Sequence, residues 1–210
     1  MKSTGKIKAF FFDIGGVLVK VDSSRSTKKL SSQLNIDEQH IQNAMTHELL
    51  VDYEKGHISS NQFYEQLLLN CNSMEKMDLS TFRSYWQEVL FPEDKSIDFL
   101  KRVKQDFPVW LLSNTNDFHY DLLVRDFPFM NWVDGGTYSF MVGSMKPEPL
   151  IYELAIKKSG LRPEEILFID DLEVNVQAAQ DQGINIIQYF DFDTFAETLK
   201  TQFPELEYLV

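Results

Sequence analysis

Residues 7–18 constrain the fold of this chain more than any other stretch, and they read Ile-Lys-Ala-Phe-Phe-Phe-Asp-Ile-Gly-Gly-Val-Leu. An apolar run bounded by a glycine pair is typical of a strand buried on both faces in a parallel sheet. Asp13 ends this strand, and open α/β sheets bind their ligands at the carboxyl edge of their strands. Gly15 and Gly16 allow a sharp turn and a close approach of the backbone to an anion. On this stretch alone, an ordinary glycine turn with Asp13 as a local cap is an equally good interpretation.

Three later apolar segments also end in polar residues that can do chemistry. The run 109–112 precedes Ser113 and Asn114, a middle segment precedes Lys146, and the run 166–169 precedes Asp170 and Asp171. Strand patterns alternate with helical patterns along the chain, which predicts an α/β fold with a doubly wound, Rossmann-like parallel sheet. In such a sheet the four polar endings are expected to meet at one edge. The third strand is predicted over residues 137–140, and Pro147 is expected to begin the helix that Gly160 ends.

The order of these endings resembles the four motifs of the haloacid dehalogenase-like hydrolases, and the resemblance extends over nearly the whole chain. Most of these hydrolases are Mg²⁺-dependent phosphatases that work through an aspartyl-phosphate. The resemblance implies that Asp13 is the nucleophile, because an ionised carboxylate needs no proton removed before it attacks. Ser113 and Asn114 would then hold the phosphate oxygens. Lys146 would neutralise the charge of both the nucleophile and the transferring group.

A divalent cation is expected beside the nucleophile, because Asp13 alone would repel a phosphate. Mg²⁺ prefers oxygen ligands in near-octahedral geometry, which suits Asp13 together with Asp170 and Asp171. Two adjacent carboxylates repel each other unless they share a cation directly or through its waters. By the resemblance, the backbone carbonyl of Gly15 completes the protein ligands. Asn175 lies one helical turn beyond Asp171 and could orient a water or simply begin the helix.

Residues 22–92 lack buried-strand runs and are predicted to form several short helices. The expected helix starts are Ser24 or Ser26, Asp37, Ser59 with Gln62 in a capping box, and Ser80. By the resemblance, this segment is a small helical cap inserted between the first two motifs, and the core comprises residues 1–21 and 93–210. Caps of this kind close over the site and select the substrate. The polar turn 53–57 is a candidate to face the core site.

The chain departs from the usual pattern at Gly15. Most phosphatases of the family carry there a second aspartate, which protonates the leaving group, and its loss would cost about 10²- to 10⁴-fold in rate. Members with a similar Asp-x-Gly and a Ser-Asn-Thr-Asn stretch belong to a branch of sugar-phosphate phosphatases, so the favoured function is hydrolysis of a small phosphorylated metabolite, for example a sugar 1-phosphate. Asp22, His47 or His57 could act as a surrogate acid, although packing or surface roles are more usual for such residues.

Two other functions stay open at this point. A protein of this fold could bind phosphate and Mg²⁺ with little or no turnover, because Gly15 cannot donate a proton. A haloacid-type dehalogenase is third, since a halide leaves without a proton, but the carboxylates Asp170 and Asp171 would be unhelpful in that reaction.

The composition limits the partners of this chain. A formal net charge of −12 leaves no excess of basic residues, which argues against nucleic acid or an anionic membrane as the main partner. The single cysteine, Cys71, cannot form an internal disulfide, and this favours a reducing compartment such as the cytoplasm. The apolar run near the N-terminus is short and broken by Asp13, so neither a signal peptide nor a spanning helix is expected. The sequence leaves the oligomeric state open.

Overall fold

The computed structural model describes residues 6–75 and 77–210, so the first five residues of the predicted core range lie outside the described residues. Five parallel strands form the central sheet, and two short antiparallel strands form a separate ribbon. In chain order the strands are β1 (Ala9–Phe12), β2 (Val19–Val21), β3 (Leu90–Pro92), β4 (Val109–Ser113), β5 (Gly135–Tyr138), β6 (Ile166–Asp170) and β7 (Asn185–Gln188). This arrangement confirms the predicted doubly wound α/β fold.

The order of strands in the sheet is β5-β4-β1-β6-β7, and it places a topological switch point beside β1. The chain first builds outward from β1 through β4 to β5 and then returns to the other side of β1 to form β6. Ligands of open α/β sheets bind at such a point, outside the carboxyl ends of the strands. In the register of the sheet, Phe12 lies opposite Ile169 of β6 and Leu111 of β4. The residues that follow these strands therefore emerge side by side.

The strand β1 is apolar throughout because both of its faces are buried. Phe10 and Phe12 pack on one face against a cluster that includes Phe99, while Phe11 packs on the other face with Phe168. All four residues of β1 are at most 1% exposed. The expectation of a strand covered on both sides is confirmed, and this rigid strand fixes the residue that follows it.

Helices cover both faces of the sheet and make up the segment between β2 and β3. They are α1 (Ser23–Leu34), α2 (Glu38–Ala44), α3 (His47–Glu54), α4 (Ser60–Cys71), α5 (Leu79–Gln87), α6 (Asp94–Asp106), α7 (Asp117–Asp126), α8 (Ser139–Val142), α9 (Pro149–Ser159), α10 (Glu173–Asp181) and α11 (Phe192–Gln202). Among the described residues, none of these helices has the length and apolar character needed to span a membrane.

Two of the predicted helix starts are correct and two are wrong. Asp37 caps α2, and Ser59 with Gln62 forms the predicted capping box of α4. The helix α1 begins after Asp22 rather than at Ser24 or Ser26, and α5 begins after Asp78 rather than at Ser80. In both cases an aspartate slightly upstream accepts the free backbone N–H groups, and its charge suits the positive end of the helix better than a serine does.

The helices α1 to α5 enclose a hydrophobic cluster to which Phe118 of α7 also contributes, and β2 and β3 connect these helices to the sheet. The members of this cluster include Tyr53, Phe63 and Trp86, and the rings of Tyr53 and Phe63 stack with centroids 4.2 Å apart. Val21 of β2 lies opposite Leu90 of β3 in the ribbon. The ribbon therefore stands close to the predicted limits of the insert, residues 22–92. The assignment of this segment as a cap domain stays a prediction.

Two details of the sheet side differ from the sequence prediction. The third parallel strand occupies Gly135–Tyr138 instead of residues 137–140. Glycine usually weakens a strand, but a Cβ at Gly135 would lie only 2.5 Å from the Trp110 ring, so the close packing requires glycine here. The helix expected to begin at Pro147 begins at Pro149 instead and ends at Gly160 as predicted. Residues 144–148 form a turn in which the Glu148 carboxylate accepts hydrogen bonds from the Ser144 hydroxyl and the Met145 N–H.

Candidate active site

Asp13 follows β1 directly and is held in one orientation. Its Oδ1 atom accepts a hydrogen bond from the Ile14 N–H at 2.7 Å and lies 2.9 Å from the Nζ atom of Lys146. In the described part of the chain, no donor is hydrogen-bonded to the other carboxylate oxygen, Oδ2. The residue is 7% exposed. One oxygen of Asp13 is thus fixed by the protein, and the second is available for chemistry.

Lys146 is the cation at the centre of the site and is 2% exposed. Its Nζ atom lies between Asp13 and Asp170, with 2.5 Å to the Oδ2 atom of Asp170. Its backbone is held by the Asn114 side chain, whose Oδ1 accepts from the Lys146 N–H at 2.7 Å and whose Nδ2 donates to the Lys146 carbonyl at 2.9 Å. The side-chain amide of Asn114 therefore anchors the lysine.

Asp170 ends β6 and is completely buried, with hydrogen bonds to both of its carboxylate oxygens. Its Oδ1 atom accepts from the Leu172 N–H at 2.9 Å and from the Nδ2 atom of Asn175 at 3.0 Å. The same Asn175 amide lies 3.2 Å from Oδ2, which also contacts Lys146. A buried carboxylate surrounded in this way is well positioned but has little free coordination capacity.

Asp171 is only partly buried, and its carboxylate packs against the glycine turn that follows β1. A Cβ atom at Gly16 would lie 2.2 Å from the Oδ2 atom of Asp171, and Gly16 has a φ of +76°. Only glycine satisfies both the left-handed backbone and this close approach. The carboxylates of Asp13, Asp170 and Asp171 each offer one oxygen, and these atoms all lie within 4.8 Å of one another. The sequence analysis predicted that these three residues would meet at one edge of the sheet, and they do.

The electrostatics of the cluster show an excess of negative charge. Burial raises the pKa of Asp13 from 3.8 to about 7, with Lys146 opposing this shift and Asp170 adding to it. Burial and the neighbouring Asp170 also raise the pKa of Asp171. Burial would lower the pKa of Lys146, but the charges of Asp13 and Asp170 outweigh it, so the pKa of the lysine is raised and the ammonium form is retained.

A divalent cation fits this set of donors. Three carboxylates cluster beside one lysine, and clustered oxygen ligands of this kind are those that Mg²⁺ prefers. In the described part of the chain, no donor is hydrogen-bonded to the backbone carbonyl of Gly15, so this oxygen is also free to act as a ligand.

Ser113 ends β4 and is 2% exposed. Its hydroxyl contacts the carbonyl of Asn114 at 3.3 Å. The following Thr115 is fixed through both of its backbone groups, because the Ser139 hydroxyl accepts from its N–H at 2.9 Å and donates to its carbonyl at 3.0 Å. Residues 113–115 therefore form a rigid loop beside Lys146. Ser139 could not be found from the sequence, since a serine after a strand carries no distinctive signal.

A cavity of about 560 Å³ opens above this cluster, which is large enough for a small metabolite. Its lining includes Asp13, Gly15, Asn114, Lys146 and Asp171, together with Glu54 from the end of α3. Glu54 is a residue that the sequence analysis did not single out, although it lies within the polar turn 53–57 that was expected to face the core site.

The three surrogate acids suggested by the sequence do not line this cavity. Asp22 is exposed and accepts hydrogen bonds from Ser24 at the start of α1. His57 is exposed and pairs with Asp52 at 3.1 Å, and His47 is exposed at the start of α3. The suggestion that one of them protonates the leaving group is therefore wrong for this arrangement, because none of the three side chains lines the cavity.

The fold and the cluster at the switch point define a hydrolase of the haloacid dehalogenase-like family, and the chain belongs to this family. The sequence model that describes the haloacid dehalogenase-like hydrolase family matches residues 7–183, which is well over half of the chain.

The relatives of this chain carry more particular names. A D-ribitol-5-phosphate phosphatase of Bacteroides thetaiotaomicron is 27% identical over 195 residues, which cover 87% of this chain and 91% of that protein. The sesquiterpene phosphatase astK of Aspergillus oryzae is 30% identical over 186 residues, covering 84% of this chain and 87% of that protein. A crystal structure of a family enzyme from Bacteroides thetaiotaomicron, in complex with magnesium and inorganic phosphate, superposes with a TM-score of 0.80 at 26% identity and covers 90% of this chain and 98% of that chain.

Proposed function

We propose that this protein is a Mg²⁺-dependent phosphatase that hydrolyses a small phosphorylated metabolite, such as a sugar or sugar-alcohol phosphate. The observation that carries this proposal is the meeting of Asp13, Asp170 and Asp171 within 4.8 Å of one another beside the buried Lys146. The phosphatase names of two relatives that align over most of the chain support the reaction class.

Asp13 is the proposed nucleophile. Its Oδ1 atom is fixed by Ile14 and Lys146, so Oδ2 is the oxygen that attacks phosphorus. Attack forms an aspartyl-phosphate and releases the alcohol, and water then hydrolyses the aspartyl-phosphate to regenerate the carboxylate. Lys146 stabilises the charge that builds up on the transferring group, as cations do in phosphoryl transfer. Ser113 and the backbone of Asn114, in the rigid loop beside the lysine, are proposed to bind the remaining phosphate oxygens.

The proposed Mg²⁺ ligands are Asp13, the carbonyl of Gly15 and Asp171, with Asp170 as a supporting carboxylate. Both oxygens of Asp170 are engaged by protein donors, whereas Asp171 is more exposed and leans against Gly16. When bound, Mg²⁺ would offset the charge of the carboxylates and of the incoming phosphate. Asn175 orients Asp170 through its amide, and this gives a more definite role to a residue for which the sequence left two interpretations open.

Residues 22–92 are proposed to act as the cap that encloses the substrate. Polar contacts join this segment to the sheet side of the molecule. The Tyr53 hydroxyl donates to Asp117 at 2.7 Å, and Lys55 forms an ion pair with Glu148. Enclosure of the site excludes water and lets residues of the cap contribute to substrate selection.

The test is the release of inorganic phosphate from a panel of sugar, sugar-alcohol, nucleoside and prenyl phosphates, with and without Mg²⁺. We expect turnover of at least one alkyl monoester that requires Mg²⁺ and is abolished by chelation. The variant Asp13→Asn should lose this turnover. Its matched control is Asp98→Asn, since Asp98 is an exposed aspartate on α6 and its replacement should leave turnover unchanged.

Two outcomes would contradict the proposal. A folded protein that binds Mg²⁺ and phosphate but hydrolyses nothing on the panel would favour the alternative of a non-catalytic binding protein. Release of halide from a 2-haloacid without any metal would favour a dehalogenase.

A further inference from the structure

The carboxyl group of Glu54 lines the active-site cavity, but it is not among the proposed nucleophile, phosphate-binding groups or metal ligands. Glu54 is the last residue of α3, is half-buried, and lines the same cavity as Asp13 and Asp171. Within residues 6–75 and 77–210, no donor is hydrogen-bonded to its carboxyl group. A carboxyl group that lines a cavity of substrate size and has no protein donor is available to act on a molecule bound there.

The residues on either side of Glu54 both bind the sheet side of the molecule. The Tyr53 hydroxyl donates to the Oδ1 atom of Asp117 at 2.7 Å, and the Lys55 ammonium pairs with Glu148. Glu148 in turn accepts hydrogen bonds from the turn that leads to the active-site lysine. Glu54 is thus held at the cavity by an anchored neighbour on each side.

The next residue of the turn, Gly56, is packed closely against the backbone of α8. Its φ is +67°, and a Cβ atom here would lie 2.2 Å from the carbonyl oxygen of Phe140. The turn therefore rests on the backbone of α8 through a contact that only glycine allows. This contact further limits the positions that Glu54 can take above the site.

We infer that Glu54 supplies the general acid and base that Gly15 cannot provide. This inference rests on the proposed phosphatase function. Glu54 enters the cavity from the helical segment rather than from the loop after β1, so the group that handles the proton is contributed by the segment that closes over the substrate.

The Oδ2 atom of Asp13 forms a bond to phosphorus while the bond from phosphorus to the ester oxygen breaks, and the Glu54 carboxyl group gives its proton to that oxygen, so the product leaves as a neutral alcohol. In the second step, water attacks phosphorus and gives a proton to the Glu54 carboxylate. The bond between phosphorus and Asp13 breaks, inorganic phosphate leaves, and both side chains return to their starting states.

The environment of Glu54 suits this task. Burial raises the pKa of Glu54, and Lys146 opposes the shift. The charged groups that share the cavity with it are Asp13, Asp171 and Lys146, while Lys55 is engaged by Glu148. A carboxyl group with a raised pKa keeps a larger protonated fraction near neutral pH, as a general acid requires.

The test compares two esters that differ in their need for a proton. With Mg²⁺ present, wild type and Glu54→Gln are assayed on ribitol 5-phosphate, or on the best alkyl phosphate of the panel, and on p-nitrophenyl phosphate. The alkoxide of the alkyl ester must be protonated, whereas p-nitrophenolate leaves readily without a proton. We expect Glu54→Gln to lower kcat on the alkyl ester by about 10²- to 10⁴-fold. On p-nitrophenyl phosphate we expect a rapid burst of about one p-nitrophenolate for each active site, followed by slow turnover while the aspartyl-phosphate awaits hydrolysis.

The matched control is Glu65→Gln on the exposed side of α4, which should behave as wild type on both esters. Glu54→Asp, which keeps the carboxyl group on a shorter side chain, should retain more activity on the alkyl ester than Glu54→Gln. A thermal melt confirms that each variant is folded before it is assayed.

Several results would overturn the inference. An unchanged kcat in Glu54→Gln, an equal loss on both esters without a burst, or a higher KM with unchanged kcat would each exclude Glu54 as the acid and leave the phosphatase proposal intact. Wild-type protein that hydrolyses neither ester contradicts the proposed function itself, and the inference fails with it.

Discussion

Buried carboxylates lie at both ends of the pair of neighbouring strands β1 and β6, and cations pair with them differently at the two ends. At the carboxyl end, burial raises the pKa of Asp13 to about 7 even though Lys146 lies 2.9 Å away. At the amino end, Glu165 is 5% exposed, yet hydrogen bonds from Arg162 and then from Lys8 lower its pKa from 4.5 to about 2.

The difference lies in the supply of positive charge. Glu165 is paired with two cations, Arg162 and Lys8, although Arg162 also pairs with Glu164, and their side chains are 68% and 56% exposed, so they stay hydrated while they bind it. At the other end three carboxylates cluster together, and one buried lysine pairs with two of them, Asp13 and Asp170. The amino end therefore stabilises the fold, whereas the carboxyl end holds negative charge that a bound cation would relieve. Opposite ends of the same two strands are thus suited to stability and to catalysis.

The largest expected effect is on activity, at the carboxyl end. Asp13→Asn should lower phosphatase turnover by at least ~10⁴-fold, because the nucleophile is lost. The same variant should be no less stable than wild type in metal-free buffer at mildly alkaline pH, because the ionised form of a carboxylate with a raised pKa is disfavoured in the folded state. Phosphate release and urea unfolding measure the two quantities. A large loss of stability would show that Asp13 holds the fold together, and the contrast between the two ends would then be wrong.

The second prediction removes the shared lysine. Lys146→Met should destabilise the metal-free protein by about 3 to 5 kcal/mol, because it leaves two buried carboxylates without their cation. Mg²⁺ should recover part of this loss. The control is Lys8→Met at the amino end, where the ammonium group is exposed and the expected cost is below about 1 kcal/mol. Equal effects of the two substitutions on urea unfolding would contradict the proposed difference.

The third prediction concerns the position of Asp171. Gly16→Ala should weaken Mg²⁺ binding by about 10- to 100-fold, because the added methyl group displaces a carboxylate that is proposed to bind the ion. Gly160→Ala is the matched control, since Gly160 has a similar φ of +70° but no atom within 4 Å of an added Cβ. Titration calorimetry with Mg²⁺ separates the two cases. If both variants bind the ion as wild type does, Asp171 is not a ligand.

The smallest effect is expected at the amino end. The folded-state pKa of Glu165 lies below its ordinary value, so its contribution to stability is present above that value and is lost as the pH falls from about 5 toward 2. Glu165→Gln should therefore be less stable than wild type at neutral pH, and the difference should shrink over this interval while activity stays unchanged. Urea unfolding at several pH values checks this. A gap that stays constant with pH would mean that charge pairing is not the source of the stability.

The sequence predicts the strand ends well because each one joins a long apolar run to chemically distinctive residues. Asp13, Asp170 and Asp171 follow such runs directly, and the register of two parallel strands then leaves little freedom in where they meet. Gly16 was recognised as part of a turn, but its contact with Asp171 depends on tertiary packing that no local pattern encodes.

Other features of the site could not be predicted, because they depend on contacts between distant segments. Asn114 lies 32 residues from Lys146, and its use as an anchor for the lysine backbone cannot be deduced from spacing. The polar turn 53–57 is predicted to face the site, but Glu54 cannot be singled out within it from the sequence, because its place at the active-site cavity depends on the packing of that turn on α8. The strand Gly135–Tyr138 was misplaced because two glycines read as a turn when their packing against Trp110 is unknown.

The central claim is that Asp13 accepts the phosphoryl group beside an ion that it shares with the end of β6. The most direct measurement is a crystal structure of the full chain with Mg²⁺ and beryllium fluoride, a mimic of a phosphoryl group. We predict beryllium bonded to the Oδ2 atom of Asp13, with the ion held by Asp13, the Gly15 carbonyl and Asp171. Beryllium fluoride bound away from Asp13, or an ion that does not contact both Asp13 and Asp171, would contradict the account.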